Sequence, residues 1–306
     1  MKVVVAGGSG YIGTALGSAL VDAGHDLVVL TRAGGGQGRA GRAVRWDPTD
    51  PSQPWANELA GAGAVVNLAG SSIGGGPWTR ARERDILDSR LLATGALVKA
   101  MSALPPGDRP PAFVSASGVD YYGERGDEIL DEGSAGGTGA YLAEVCARWE
   151  AGAVTAERLG TRVVRMRTGL VPSRDAKALH LMALPFRLFA GGRTGSGRQW
   201  VSWVHLADAV GLYLLAIDDA TLSGPLNAAS PNPVRNTELA AGIARALGRP
   251  NWLPAPAPIL RLVLRRQAEM LLVGHRVVPR LAQERGYSFR HAELGDALRD
   301  SLGARA

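Results

Sequence analysis

The sequence predicts an α/β fold: a Rossmann-type doubly wound parallel sheet with a smaller C-terminal cap of helices and loops. Three observations predict it. The opening stretch, MKVVVAGGSGYIGTALGSALVDAGHDLVVLTR, reads as strand, Gly-rich turn, helix and strand. Short apolar runs then alternate with helical patterns as far as Leu170. Beyond that point the alternation lapses, and the chain turns rich in Gly, Arg and Pro.

The first strand, Val3 to Val5, is β-branched and runs straight into glycines. The helix that follows sets Ile12, Leu16, Leu20 and Ala23 on one face, and Leu27 to Leu30 forms the second strand. Ala43 to Trp46 reads as a third strand, stopped at Asp47-Pro48. Ala64-Val65-Val66-Asn67-Leu68-Ala69-Gly70 reads as a buried parallel strand and a small-residue turn. A helix from Arg80 to Met101 carries Leu87, Leu91, Thr94 and Val98 on one face. The next strand, Ala112 to Ser115, ends in Ser115-Ala116-Ser117. A helix from Tyr141 to Leu159 turns Leu142, Cys146, Trp149, Ala153 and Ala156 inward, before a strand from Arg162 to Met166.

In the C-terminal part, Phe186 to Gln199 is a Gly- and Arg-rich stretch. Val204 to Ile217 reads as an amphipathic helix and Gly224 to Ala228 as a returning strand. Asn236 is expected to cap a helix through Leu247, with Glu238 in its first turn. Pro250, Pro254, Pro256 and Pro258 mark a rigid crossing. Helices from Ile259 to Val273, Pro279 to Arg285 and Ala292 to Leu302 finish the chain. The expected organisation is a dinucleotide-binding domain over 1–170, to which 204–230 returns. Residues 171–203 and 231–306 form a substrate-binding cap.

Composition narrows the function classes. A hydrophobic fraction of 46% with 20% charged residues reads as globular. The formal charge is +6, but the basic residues are scattered among acids, and Lys2, Lys99 and Lys177 are the only lysines. No nucleic-acid motif is present, so no nucleic-acid partner is expected. Cys146 is the single cysteine, which excludes an intramolecular disulfide and a cysteine metal cluster. The five histidines show no metal-ligand spacing, and no metal is expected. No apolar run reaches the roughly 18 residues of a membrane span, and no membrane partner is expected. The first strand begins too early for a signal peptide, which makes the cytoplasm the default compartment.

The glycines carry the first chemical signal. Gly8-x-Gly10-x-x-Gly13 fits the general dinucleotide fingerprint, and Gly7-x-x-Gly10-x-x-Gly13 fits a wider spacing. Either way, backbone N–H groups gather at a helix N-terminus, where a pyrophosphate is favoured. An NAD site places Asp or Glu at the end of the second strand, to bond the ribose 2′-OH. Thr31 and Arg32 hold that place here, and Asp26 lies too early. A carboxylate repels a 2′-phosphate; a hydroxyl and a guanidinium bind it. NADP(H) is therefore the expected cofactor, with NAD(H) as the alternative. The loop Ala33-Gly34-Gly35-Gly36-Gln37-Gly38-Arg39 is expected to be flexible and to add positive charge.

Together, Gly7-Gly8-Ser9-Gly10-Tyr11-Ile12-Gly13, Asn67-Leu68-Ala69-Gly70 and a serine ending the fifth strand resemble the extended short-chain dehydrogenases/reductases. More narrowly, the chain resembles their atypical "epimerase family protein" branch. The carrying segments include Trp78-Thr79, Asp88-Ser89-Arg90, Tyr121-Tyr122-Gly123, Trp149-Glu150, Arg167-Thr168-Gly169 and Gly195 to His205. The tail, with Arg249-Pro250 and Leu253-Pro254-Ala255-Pro256, resembles that branch's C-terminal domain of unknown function. The resemblance covers nearly the whole chain. It implies that the cofactor touches Gly7 to Gly13, Thr31, Arg32, Asn67, Leu68, Ala69, Gly70, Arg90, Thr168 and Gly169. It also implies a possible homodimer through the helices near 80–101 and 141–159.

The parent family pairs Ser with Tyr and a Lys four residues beyond it, where i and i+4 share a helix face. The aligned residues here are Ser117 and Tyr141, but position 145 is Val. Arg148 lies roughly 10 Å along the helix and is a poor substitute. Without a cation, Tyr141 is expected to be a weak base that still donates a proton as a neutral phenol. Ser117 is expected to orient a substrate oxygen. Tyr122, Arg198 and Trp203 are candidate contacts of a small-molecule substrate, and His205 flanks them. The expected function is NADP(H)-dependent hydride transfer on a small carbonyl or hydroxyl substrate, by an oxidoreductase or epimerase-like enzyme. The alternatives are an NADP(H)-binding sensor or scaffold, and a sugar-nucleotide epimerase.

Overall fold

The computed structural model describes residues 1–32, 36–37, 40–50 and 53–303, with 36–37 described by backbone alone. Most of the loop 33–39, expected above to be flexible and basic, lies outside the described residues. In chain order the elements begin with β1 (Lys2–Ala6), α1 (Tyr11–Asp22), β2 (Asp26–Thr31), β3 (Gly36–Gln37), β4 (Arg42–Arg45), β5 (Ala64–Asn67) and α2 (Arg80–Ala103). Next come β6 (Ala112–Gly118), β7 (Ile129–Leu130), α3 (Tyr141–Val154), β8 (Arg162–Thr168), α4 (Lys177–Arg187), β9 (Trp200–Val201), α5 (Leu206–Asp218) and β10 (Gly224–Ala228). The chain ends with β11 (Val234–Arg235), α6 (Asn236–Leu247), α7 (Ala257–Leu264), α8 (Glu269–Leu272), β12 (Arg276–Val277), α9 (Arg280–Glu284) and α10 (Leu294–Leu302).

The main sheet runs in the order β10-β8-β6-β5-β1-β2-β4-β3. All its pairs are parallel except β3 with β4. The chain winds one way from β1 to β2 and β4, then the other way from β5 to β6, β8 and β10. The order reverses between β1 and β5, where Ala6 stands beside Asn67. Open α/β sheets bind ligands at such a switch point.

Strand alternation sorts the core into two layers. Val3 and Val5 face Leu16 and Leu20 of α1 and Leu212 and Tyr213 of α5. Val4 and Ala6 face the other way, against Ala93, Leu97 and Met101 of α2 and Ala153 of α3. Parallel strands buried on both faces read as unbroken apolar runs, which is why VVVA, LVVLT and AVVN stood out. A further cluster in the cap joins α4, α6 and α10 around Trp203. Two short pairings, β11 with β9 and β12 with β7, tie the cap together and to the sheet domain. Among the described residues no helix is long and apolar enough to cross a membrane.

Several expectations need correction. Ala23 is an exposed C-cap and not part of the buried face of α1. The buried stripe of α2 runs through Ile86, Arg90, Ala93 and Leu97, so Leu87, Leu91 and Val98 are only half-buried. The polar Arg90 hid that stripe. Helix α6 is capped by Arg235, whose N–H donates to the Glu238 carboxylate at 2.6 Å, while Asn236 accepts from the Thr194 N–H at 2.8 Å. The run 259–273 breaks at Arg265, at φ 51°, into α7, a 3-10 turn and α8. Helix α4 escaped the sequence reading because Pro185 sits inside it, although Leu179, Ala183 and Phe186 share its buried face.

The glycine turn is packed against α1 at one point. A Cβ on Gly13 would lie 2.6 Å from Gly8 Cα and 2.9 Å from the Gly7 carbonyl oxygen, both backbone atoms. Gly13→Ala is expected to lower stability by about 1–3 kcal/mol, the range for overpacking. Urea unfolding measures this, and an unchanged midpoint would contradict the close approach of helix and turn.

Candidate functional site

Three sheet ends build the site. The first is the turn after β1. Gly7 sits at φ 77°, and a Cβ there would meet the Ala69 backbone N at 2.8 Å. Only glycine fits that conformation and that approach. Gly8 is buried against Val29, whose Cγ1 a Cβ would meet at 2.8 Å. Gly10 is the N-cap of α1, and its N–H donates to the Gly7 carbonyl at 3.2 Å. A Cβ on Gly10 would meet only that carbonyl oxygen, at 3.6 Å, because its outer side is open. Both glycine spacings are therefore in use, with Gly7 making the turn and Gly10 leaving the approach clear. Ser9, Gly10 and Tyr11 are exposed at the mouth, and Ile12 is half-buried behind them.

A cleft of about 280 Å³ continues from this turn past Thr14 and Val29 to Thr31 and Ala43. Thr31 ends β2 half-buried, and Arg32 follows it exposed. Asp26 starts the strand, at its far end. The end of β2 thus carries a hydroxyl and a guanidinium in place of a carboxylate.

The second sheet end is the turn after β5. The Asn67 amide donates to Thr94 Oγ1 at 2.9 Å, and its Oδ1 accepts from the Ala69 N–H at 3.2 Å. Thr94 Oγ1 also accepts from the Trp149 indole at 3.0 Å. Asn67 therefore ties the turn to α2 and α3. Leu68 is held by its N–H to the Ala6 carbonyl at 2.9 Å, Ala69 is half-buried against the core, and Gly70 is exposed. Arg90 of α2 lies beneath Gly70, with its guanidinium over the Trp149 ring.

The third lies at β6 and β8. The Ser117 hydroxyl donates to Glu150 Oε1 at 2.8 Å. Arg167 grips Glu150 with a fork, Nε to Oε1 at 2.8 Å and Nη2 to Oε2 at 2.9 Å. Both side chains are almost fully buried. Arg167 Nη1 donates to the Tyr122 hydroxyl at 2.9 Å, which donates to Asn227 Oδ1 at 2.7 Å. Burial pushes the Tyr122 phenol up to about 12, with Arg167 opposing it. Tyr121 lies under the same guanidinium, 3.5 Å from ring to Cζ. Beside this network Thr168 ends β8, and Gly169 passes close to the cap, where a Cβ would lie 2.6 Å from the Ser202 carbonyl oxygen.

Tyr141 begins α3. Its hydroxyl donates to the Glu83 carbonyl, and its ring stands edge-on to Trp78 at 5.3 Å. Burial raises its pKa above the ordinary phenol value, Glu83 adds to the rise, and Arg90 and Arg266 oppose it. Val145 is buried with Tyr141, Leu142, Trp78 and Ile86. A lysine there would enter an apolar wall. Arg148 is exposed and pairs with Glu144 at 3.7 Å. No hydrogen bond joins the Ser117 and Tyr141 hydroxyls among the described residues. Each is committed to a different partner.

The proposed substrate contacts scatter. Tyr122 is buried inside the network. Trp203 is wholly buried in the cap, and its indole donates to the Asn232 carbonyl at 2.9 Å. Arg198 is exposed on an outer loop. His205 caps α5 by accepting from the Ala207 N–H at 3.2 Å, and it pairs with Asp300 at 3.1 Å. Burial and the neighbouring His291 hold its pKa down. Trp203 and Tyr122 are therefore core residues, and His205 is a helix cap. The sequence reading missed Glu150 and Arg167 as working residues. Both elements carry other charged residues, Arg162 and Arg165 on β8 and Glu144 and Arg148 on α3, so no local signal set the pair apart.

The chain is similar to known proteins over nearly its whole length. The family model described as NAD dependent epimerase/dehydratase family matches residues 3–228. The chain belongs to that family. A domain of unknown function matches residues 255–301. The chain is 37% identical over 307 aligned positions to the epimerase family protein SDR39U1 homolog, chloroplastic, of Arabidopsis thaliana, covering 98% of this chain and 86% of that one. It is 36% identical to epimerase family protein SDR39U1 of Homo sapiens, covering 98% and 99%. The crystal structure of human SDR39U1 isoform 2 with NADPH superposes with a TM-score of 0.84 at 35% identity, covering 99% of each chain. A nucleoside-diphosphate sugar epimerase from Corynebacterium glutamicum gives 0.80 at 32% identity, covering 99% of this chain and 58% of that one.

The buried Glu150–Arg167 pair sets a stability expectation for this family member. Removing one partner strands the other charge in the interior, at a cost of about 3–5 kcal/mol. Glu150→Gln and Arg167→Met are each expected to lose that much in denaturant unfolding. The double variant is expected to lose less than the sum. Full additivity would mean the two side chains are not coupled.

Proposed function

We propose that this chain binds NADP(H) across the Gly7–Gly13 turn and reduces the carbonyl group of a small-molecule substrate. One observation carries the reading. The turn that leaves Gly10 open faces a strand end that holds Thr31 and Arg32 where a carboxylate would select NAD. The residues fit a phosphorylated dinucleotide. Backbone N–H groups at the start of α1 receive the pyrophosphate, and Arg32 receives the 2′-phosphate. The NADPH in the human relative's structure supports the same cofactor. When bound, the nicotinamide supplies hydride.

The direction of reaction follows from the hydroxyls. Burial and the Glu83 carbonyl keep Tyr141 a neutral phenol, an acid and not a base, whose O–H turns from that carbonyl to donate to a substrate. Reduction needs a proton donor; alcohol oxidation needs a base. Ser117 gives its only proton to Glu150, so toward a substrate its oxygen acts as an acceptor. It positions and does not protonate. A non-catalytic NADP(H) sensor is the second reading. It is favoured by the same two bonds, since both hydroxyl protons already have partners.

Calorimetric titration is expected to show tighter binding of NADPH than of NADH, and Arg32→Asp is expected to invert the order. Equal affinities in the native protein would defeat the cofactor assignment. Gly10→Val is expected to abolish binding while leaving the unfolding midpoint in place, since a β-carbon there meets no close neighbour. With a carbonyl panel, Tyr141→Phe is expected to slow reduction by roughly 10²–10⁴-fold, the range for one general acid. An unchanged rate would make Tyr141 a packing residue. Tight NADPH binding with no turnover of any carbonyl would favour the sensor.

A further inference from the structure

The parent family's lysine is absent at position 145, yet the site holds a cation. Arg90 is 6% exposed. It forms no ion pair with a carboxylate among the described residues. One terminal nitrogen, Nη1, donates to the Ser71 carbonyl at 3.1 Å and the Ile86 carbonyl at 2.8 Å. Its Nε–H is buried without a partner. Burial lowers its pKa, as expected for a charge with little compensation. A guanidinium carries five N–H donors and stays charged in proteins, and natural folds rarely bury one unpaired.

Its surroundings say what is missing. On one side Arg90 underlies Gly70, where a Cβ would lie 3.1 Å from Cγ and Cζ and 3.2 Å from Nη1. Gly70 ends the turn whose Ala69 touches Gly7, so one thin backbone layer separates the guanidinium from the glycine turn. On the other side its Cζ stands 4.9 Å from the Trp149 ring centroid. Trp149 is one helical turn beyond Val145 on α3. The charge therefore sits between the pyrophosphate turn and the face of α3 that a lysine at 145 would have served.

We propose that Arg90 replaces the missing lysine, donating from α2 through its guanidinium to the sugar–phosphate of the cofactor's nicotinamide half. This rests on the dinucleotide reading above. It makes Arg90 a binding and positioning residue, reached from a different helix than the family's usual cation.

The test titrates two probes, NADPH and 2′,5′-ADP, into the native protein, Arg90→Met and Arg90→Lys. The second probe carries the adenine half alone. Arg90→Met, which keeps the apolar stem, is expected to weaken NADPH at least about tenfold, the scale of a lost charged hydrogen bond. It is expected to leave 2′,5′-ADP within about twofold, and Arg90→Lys is expected to recover most of the NADPH affinity. If Arg90→Met does not fold, Arg90→Gln is read by the same criteria. Unchanged NADPH affinity, or equal losses for both probes, would overturn the proposal. Failure of the native protein to bind either probe would overturn the dinucleotide reading as well, and so is distinguishable.

Discussion

The candidate site is built around one buried ion pair. Glu150 of α3 and Arg167 of β8 meet in a two-bond fork with almost no solvent access. Taking both charges from water is costly, and their attraction repays it only when every remaining hydrogen bond is made. Here the remaining bonds are made by Ser117, Tyr122 and, through Tyr122, Asn227. The pair thereby holds the ends of β6, β8 and β10 in one arrangement and orients the one hydroxyl that a strand-end serine can offer. Arg165 approaches the same carboxylate at 3.4 Å from its half-buried position. Ser117 is thus shaped by structure before any substrate arrives.

A second constraint follows from the loss of a lysine. With Val145 sealed among Trp78, Ile86, Tyr141 and Leu142, α3 presents an apolar wall where its relatives in chemistry would place an ammonium. The phenol at Tyr141 then lacks the neighbour that would turn it into a base. A buried guanidinium, Arg90, lies on α2, beneath the turn after β5. On the proposed reading the site attracts an anionic cofactor while its proton chemistry tilts toward donation.

Much of this was legible in the sequence. The strand–glycine–helix–strand opening is a local signal, because the dihedral freedom of Gly7 and the apolar runs of parallel strands leave marks on neighbouring residues. The missing carboxylate after β2 and the missing lysine on α3 are absences at known spacings and read just as directly. The buried roles of Tyr122 and Trp203 were not legible. An aromatic in a loop looks the same whether it lines a pocket or fills a core, and only the partners of its polar atom decide. Glu150 and Arg167 lie 17 residues apart and meet only where helix α3 packs on β8. Arg90 broke the apolar stripe of α2, so its burial was masked by its own charge. The broken helix near Arg265 and the small pairing of β7 with β12 depend on tertiary contacts that no local pattern records.

The account's central claim is that the Gly7–Gly13 turn and the end of β2 together receive a phosphorylated dinucleotide. A crystal structure of the protein grown with NADPH tests this most directly. The account predicts a pyrophosphate within hydrogen-bonding distance of backbone N–H groups at the start of α1, with the 2′-phosphate held by Arg32. A dinucleotide bound elsewhere, or bound at the turn with its 2′-phosphate pointing away from Arg32 into solvent, would contradict it.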